Sequence, residues 1–293
     1  MMEKMKFKKI KVALYFLLLI VAGAVLTGCW GDSGSNSTNK GNKADKNMNI
    51  VSQKTTYMAD NDTMVGYLFY DENSNEEKPG IIVIHEWWGN NSYAQKRAEM
   101  LAELGYTVLA ADMYGNGLTV ETPQEAQKNA EVVYSNPELL KVRMMAAHQA
   151  LAKSDKVDKD KIAAVGYCFG GTVGLAAANM EVPVKPVISF HGGLQGFSAS
   201  PAIKNTPVLI CNGEADKFIS VEDKERFKKQ MDSIGANYDF IEYEDATHAF
   251  TNWNSTQTGR KFNMPIAYNE EADKKSWEDM KKFLAKHFPS SND

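Results

Sequence analysis

Three side chains have the types and the chain order that nucleophilic acyl transfer requires: a thiol at Cys168, a carboxylate at Asp216 and an imidazole at His248. A thiol becomes a strong nucleophile once a base takes its proton. The base works best when a carboxylate fixes its tautomer and stabilises its charged form. Cys168 stands in Gly166-Tyr167-Cys168-Phe169-Gly170-Gly171, after an apolar run from Ile162 and before a small-residue stretch from Thr172. Strand, tight turn and helix in that order make a nucleophile elbow, here with sulfur in place of oxygen. Glycines around the turn let two backbones approach where a Cβ would collide. The turn lifts the sulfur above the sheet, at a helix N-terminus whose dipole favours thiolate. Backbone N–H groups there can form half of an oxyanion hole. The plainer reading is a cysteine packed as a small hydrophobe, and Cys211, inside the apolar run from Val208, is read that way.

The partners follow apolar runs, where a strand should end. Asp216 closes Gly213-Glu214-Ala215-Asp216, and His248 lies in Ala246-Thr247-His248-Ala249-Phe250. Nucleophile, acid, histidine is the order an elbow enzyme uses. Glu214 is the rival acid. Among the 5 histidines, His191 is the rival base, although it precedes the acid. His85 ends an early strand and can touch the site, whereas His148 and His287 fall in helical patterns.

To hold these residues together the chain needs a sheet. Continuous apolar runs at 80–85, 106–111, 162–166, 186–190, 208–212 and 238–243 read as strands buried on both faces, with an earlier strand at 63–70. Helical patterns at 92–104, 137–153, 172–180, 222–234 and 270–287 alternate with them. Alternation of this kind implies βαβ units and a mostly parallel sheet whose functional loops lie at the carboxyl ends of the strands.

The 293 residues, 43% apolar and 24% charged, suffice for one sizeable core. The net charge of −4 gives no basic excess for nucleic acid. Three cysteines far apart make no disulfide framework. No His, Cys and acid cluster has metal-ligand spacing, and Gly166–Gly171 lacks the lysine of a phosphate loop, so neither metal nor cofactor is expected. Residues 1–29 read as an exported leader: lysines at 4, 6, 8, 9 and 11, an apolar run Val12–Leu26, then Leu26-Thr27-Gly28-Cys29. The tetrapeptide resembles a bacterial lipobox, which implies lipidation of Cys29 and anchoring to the cell membrane. Residues 30–49 hold almost nothing apolar and read as a flexible tether. Residues 50–290 read as one domain.

The segments Ile84-His85-Glu86-Trp87-Trp88-Gly89, Ala111-Asp112-Met113-Tyr114-Gly115, the Cys168 elbow, Gly213–Asp216 and Ala246–Phe250, in this order, resemble the dienelactone hydrolase family of α/β-hydrolases. The resemblance runs from about residue 54 to 288. It implies the α/β-hydrolase fold and hydrolysis of a small ester or lactone by a Cys168, His248 and Asp216 triad. Glu86 would hold the resting thiol and help deprotonate it, and the N–H groups of Trp87 and Phe169 would form the oxyanion hole. The family's dienelactone-cleaving members also bind the substrate carboxylate with arginines. One follows the histidine, where this chain reads Thr251-Asn252-Trp253; for the other, in the lid region, Arg143 is no convincing match. Losing a bidentate guanidinium matters for carboxylate recognition, so the chemistry transfers and the dienelactone substrate does not. Tyr114, Trp88 and Trp253, with Trp87 and Phe169, point to an aromatic pocket. The triad equally serves a thioesterase or peptidase, and a membrane-tethered binding protein or a redox thiol would carry the same leader and cysteine.

Overall fold

A computed structural model of the protein describes residues 48–288. The leader, Cys29, most of the tether and the last residues of the expected domain lie outside the described residues. Among those described, no helix is long and apolar enough to cross a membrane.

The elements are β1 (Ile50–Ala59), β2 (Asp62–Asp71), β3 (Lys78–Ile84), α1 (Ser92–Ala102), β4 (Thr107–Ala111), α2 (Pro123–Tyr134), α3 (Pro137–Ala152), β5 (Val157–Tyr167), α4 (Phe169–Asn179), β6 (Val187–Phe190), β7 (Val208–Gly213), α5 (Val221–Ser233), β8 (Tyr238–Tyr243), α6 (Ser255–Phe262) and α7 (Glu270–His287). Eight strands form one sheet in the order β1-β2-β4-β3-β5-β6-β7-β8. The pairs from β4 to β8 are parallel, while β1–β2 and β2–β4 are antiparallel. This is the α/β-hydrolase architecture, a mostly parallel sheet flanked by helices.

The continuous apolar strands follow from burial on both faces. Along β3, Ile82 and Ile84 join a core with α2, α3, α4 and α5, and Ile81 and Val83 join the opposite core with α1 and α7. Successive strand side chains point to opposite faces, so a strand covered on both sides has no polar position to spare. Three elements lacked such a signal. β1 is an edge strand with only Ala59 buried. α2 buries only Ala126, Ala130 and Val133, and α6 only Ser255 and Gly259.

One carboxylate organises the loop beyond β4. Asp112 is fully buried and accepts N–H bonds from Val65 (3.0 Å), Tyr114 (2.9 Å), Gly115 (2.9 Å) and Gly117 (2.8 Å). Four donors replace the water that burial removes, which is what makes an interior charge tolerable. The loop so fixed carries Tyr114, whose hydroxyl donates to the Trp87 carbonyl at 2.9 Å. The Asp112 loop thereby positions the backbone after β3.

Candidate active site

Cys168 joins β5 to α4 with φ 52° and ψ −113°, a left-handed conformation that costs a non-glycine residue of order 1–3 kcal/mol and persists only when its surroundings enforce it. Here they do. A Cβ on Gly166 would run into the Gly170 carbonyl, and one on Gly170 into the Ile84 carbonyl of β3. Helix α4 can start beside β3 and β5 only because those side chains are absent.

The structure brings the three sequence-predicted residues together. His248 Nε2 lies 3.0 Å from Cys168 Sγ, and His248 Nδ1 lies 2.8 Å from Asp216 Oδ2. A carboxylate only accepts, so Nδ1 carries the hydrogen and Nε2 faces the sulfur. Asp216 Oδ1 accepts from the Phe218 N–H at 2.8 Å. Burial opposes charge on His248, but the Cys168 sulfur and the Asp216 carboxylate outweigh it and hold the imidazole pKa well above its ordinary value. A sulfur, an imidazole that can hold its proton and an orienting carboxylate can perform nucleophilic attack with proton transfer.

The rivals are otherwise engaged. Glu214 is exposed. His191 is fully buried; its Nδ1 accepts the Cys168 N–H at 3.1 Å and its Nε2 faces Thr251 Oγ1 at 2.8 Å. Burial, then the neighbouring His248 and Arg97, push its pKa well down, so it stays neutral with no free lone pair for a thiol proton. It packs edge-on against His248, centroids 5.3 Å apart. His85 is also fully buried. Its Nδ1 faces the Glu86 carbonyl and its Nε2 accepts the Met113 N–H at 3.2 Å. Burial lowers its pKa to about 4, and its ring stacks on Phe169, centroids 5.5 Å apart. Cys211 lies in the core, where its sulfur receives the Tyr243 hydroxyl at 3.5 Å.

Cys168 and His248 open on a cavity of about 180 Å³ lined also by Glu86, Trp87, Trp88, Tyr134, Phe169, Gly193, Phe218, Ala249, Met264 and Ile266. Glu86, which as a loop residue could have been solvated, is 3% exposed. Two expected wall residues are elsewhere. Tyr114 sits behind the wall, tilted against Phe169 at 5.3 Å, because its hydroxyl is held by the Trp87 carbonyl. Trp253 turns outward, 42% exposed, and packs on Tyr93 and over the Arg97 guanidinium. Arg97 is the buried centre of an aromatic cage and donates to the Thr251 carbonyl and to Asp273. Arg143 bonds the Met113 carbonyl and Asp62. Neither guanidinium lines the cavity. Several wall residues had no motif to announce them. For Tyr134 a signal existed: Thr122-Pro123-Gln124-Glu125 is a helix start, Thr122 accepting the Glu125 N–H at 3.3 Å.

A sequence profile of the dienelactone hydrolase family matches residues 64–288. The chain belongs to the dienelactone hydrolase family. A Methylorubrum extorquens protein provisionally named carboxymethylenebutenolidase is 31% identical over 183 residues, 59% of this chain and 63% of that relative. This chain thus spans just under two thirds of that relative's length. The crystal structure of a dienelactone hydrolase-like promiscuous phosphotriesterase from metagenomic libraries superposes with a TM-score of 0.76 at 28% identity, covering 82% of this chain and 99% of that one. A dienelactone hydrolase from Anabaena variabilis, 17% identical with a TM-score of 0.58, shares the fold over 82% of this chain and 99% of its own. As a family member this protein is a dienelactone hydrolase-like hydrolase.

Asn252 stands in the Thr251-Asn252-Trp253 segment that follows His248. Its Nδ2 donates to Glu86 Oε2 at 2.6 Å. Burial raises the Glu86 pKa from 4.5 to about 7; the Asn252 bond and the charges of His248 and Arg97 offset this only in part. The native state therefore binds this proton more tightly than the unfolded chain. The stability it contributes is complete below about pH 4.5 and is lost as pH rises through about 7, an amount of order 3 kcal/mol. Glu86→Gln keeps an acceptor for Asn252 and cannot ionise. It should melt about 9 °C above the parent at pH 8 and only about 2 °C above it at pH 5. An equal difference at both pH values in calorimetry would contradict this.

Proposed function

We propose that this protein hydrolyses uncharged esters or lactones through a Cys168, His248 and Asp216 triad, held at a membrane surface by a lipid on Cys29. The observation that carries the catalytic reading is the unbroken run from Sγ to Nε2 at 3.0 Å and from Nδ1 to Asp216 at 2.8 Å, at the mouth of a cavity. Sγ attacks the carbonyl carbon while His248 holds the thiol proton. The C–O bond to the alcohol then breaks, and the departing oxygen takes that proton. Water attacks the thioester, gives a proton to His248 and releases the acid, and the proton returns to sulfur. No protein acceptor takes the Trp87 or Phe169 amide N–H among the described residues, which supports a role for both in binding the oxyanion. Glu86 opens on the same cavity as the sulfur, but its carboxylate bonds Asn252 while the sulfur faces His248, so the hold on the resting thiol expected of it is not made in this arrangement. Among the described residues no lysine or arginine lines that cavity, which supports a neutral substrate.

The leader pattern and the tetrapeptide ending at Cys29 support the anchoring. One experiment tests both statements. Bacteria expressing the full chain should hydrolyse p-nitrophenyl acetate in their membrane fraction, and Cys29→Ala should move that activity into the soluble fraction. Turnover no greater than in vector controls would overturn the hydrolase, and an unchanged distribution would overturn the anchor.

A further inference from the structure

Beyond Tyr134 and Gly193, which line the 180 Å³ cavity, lies a larger groove of about 540 Å³ that shares those two residues. Its other walls include Leu140 of α3, Thr172, Leu175 and Ala176 of α4, and Phe197. No Asp, Glu, Lys or Arg lines it.

Asn179, Thr172 and Gln195 among its polar side chains are already paired. Asn179 Oδ1 accepts the Ser200 N–H at 2.7 Å and its Nδ2 donates to the Ser198 carbonyl. Thr172 Oγ1 donates to the Gly193 carbonyl at 3.2 Å, and Gln195 donates to the Phe218 carbonyl. An occupant therefore meets apolar surface and few open hydrogen-bonding groups, and polar groups on it would lose water without recompense. The volume is that of a site for a small organic molecule.

The proton path decides which end of an ester points there. The leaving oxygen must face His248 Nε2 to receive its proton. On the side of that ring the cavity is lined by Phe218, Ala249, Met264 and Ile266, and Phe218 packs edge-on against the ring, centroids 5.0 Å apart. The alcohol belongs on that side, which leaves the Tyr134 and Gly193 side for the acyl group. We propose that the groove is an acyl subsite and that the substrates are uncharged esters of medium-chain aliphatic acids. This rests on the hydrolase reading above and specifies its substrate.

A p-nitrophenyl ester series from acetate to octanoate should show kcat/KM rising by up to about fourfold per methylene, the factor matching about 0.8 kcal/mol per buried methylene. Lengthening the alcohol of acetate esters should not raise it. Ala176→Trp, which fills the groove from α4, should lower octanoate kcat/KM at least tenfold, chiefly through KM, and leave acetate turnover unchanged. A flat or falling acyl series in the parent protein overturns the subsite even where Ala176→Trp does not fold. Binding keeps the subsite separate from the chemistry: methyl octanoate should bind Cys168→Ala, measured by titration calorimetry, and bind Ala176→Trp/Cys168→Ala at least tenfold more weakly. Absence of binding overturns the acyl subsite. Binding without any ester turnover by the parent overturns the hydrolase reading alone.

Discussion

Cys168→Ala is expected to lower kcat for p-nitrophenyl acetate by roughly 10⁵-fold, the scale on which removal of a nucleophile acts when the rest of the site remains. Deleting Sγ deletes the atom that forms the bond, and nothing nearby substitutes for it. Cys211 is buried, with burial pushing its thiol up to about 12. What survives is the modest acceleration from polarised carbonyl and bound substrate. The fold should survive too. Alanine meets the same left-handed backbone as cysteine, and among the described residues the one hydrogen bond of the side chain is to His248. Circular dichroism should show a melting temperature within about 3 °C of the parent, a change of order 1 kcal/mol in a domain of this size. Turnover within tenfold of the parent would remove the sulfur from the mechanism.

Asp216→Asn should cost roughly 10⁴-fold in kcat through a proton in the wrong place. Oδ1 already accepts the Phe218 N–H at 2.8 Å. An asparagine must therefore keep its oxygen there and turn its NH₂ toward His248 Nδ1. Two donors cannot face each other, so the ring hydrogen moves to Nε2, the nitrogen that must receive the thiol proton. The imidazolium also loses the carboxylate beside it, so the His248 pKa falls from its raised value. Steady-state kinetics with nitrogen NMR of the imidazole reads both effects. A loss smaller than tenfold, or a ring that keeps Nδ1–H, would contradict the assigned role.

Much of this was legible in the sequence because burial on both faces of a parallel sheet writes itself as unbroken apolar runs. Gly80–His85, Val208–Asn212 and the run into Cys168 were strands for that reason, and each was followed by a residue now found at the cavity. Where one face meets water the signal weakens, and β1, α2 and α6 carry no unbroken apolar run. Boundaries shifted where no cap marked them: α4 begins at Phe169, three residues before the expected start, because the elbow itself is the first turn. The cavity walls were harder. Tyr134, Phe218 and Met264 arrive from unrelated parts of the chain, and only their packing makes them neighbours. Aromatic type alone misled at Tyr114 and Trp253. A phenol seeks an acceptor and an indole covers a guanidinium as readily as either lines a cavity. Asn252 could be seen as a missing arginine, but its bond to Glu86 required coordinates.

The β1–β2 hairpin has a practical side. Ile50 pairs with Asp71, and β2 runs antiparallel to β4, Phe69 opposite Val108 and Tyr67 opposite Ala110. Ile50 therefore sits on the floor of the sheet, where the parallel strands begin, and Cys168 lies where they end. At the other end of the described residues the ring of Phe288 is 6.4 Å from that of Tyr106, just ahead of β4, so Phe288 lies by the floor as well. A bead, an affinity handle or a fused partner joined directly before Ile50 or after Phe288 would occupy the underside, and the domain could be immobilised there with its entrance still facing the solution.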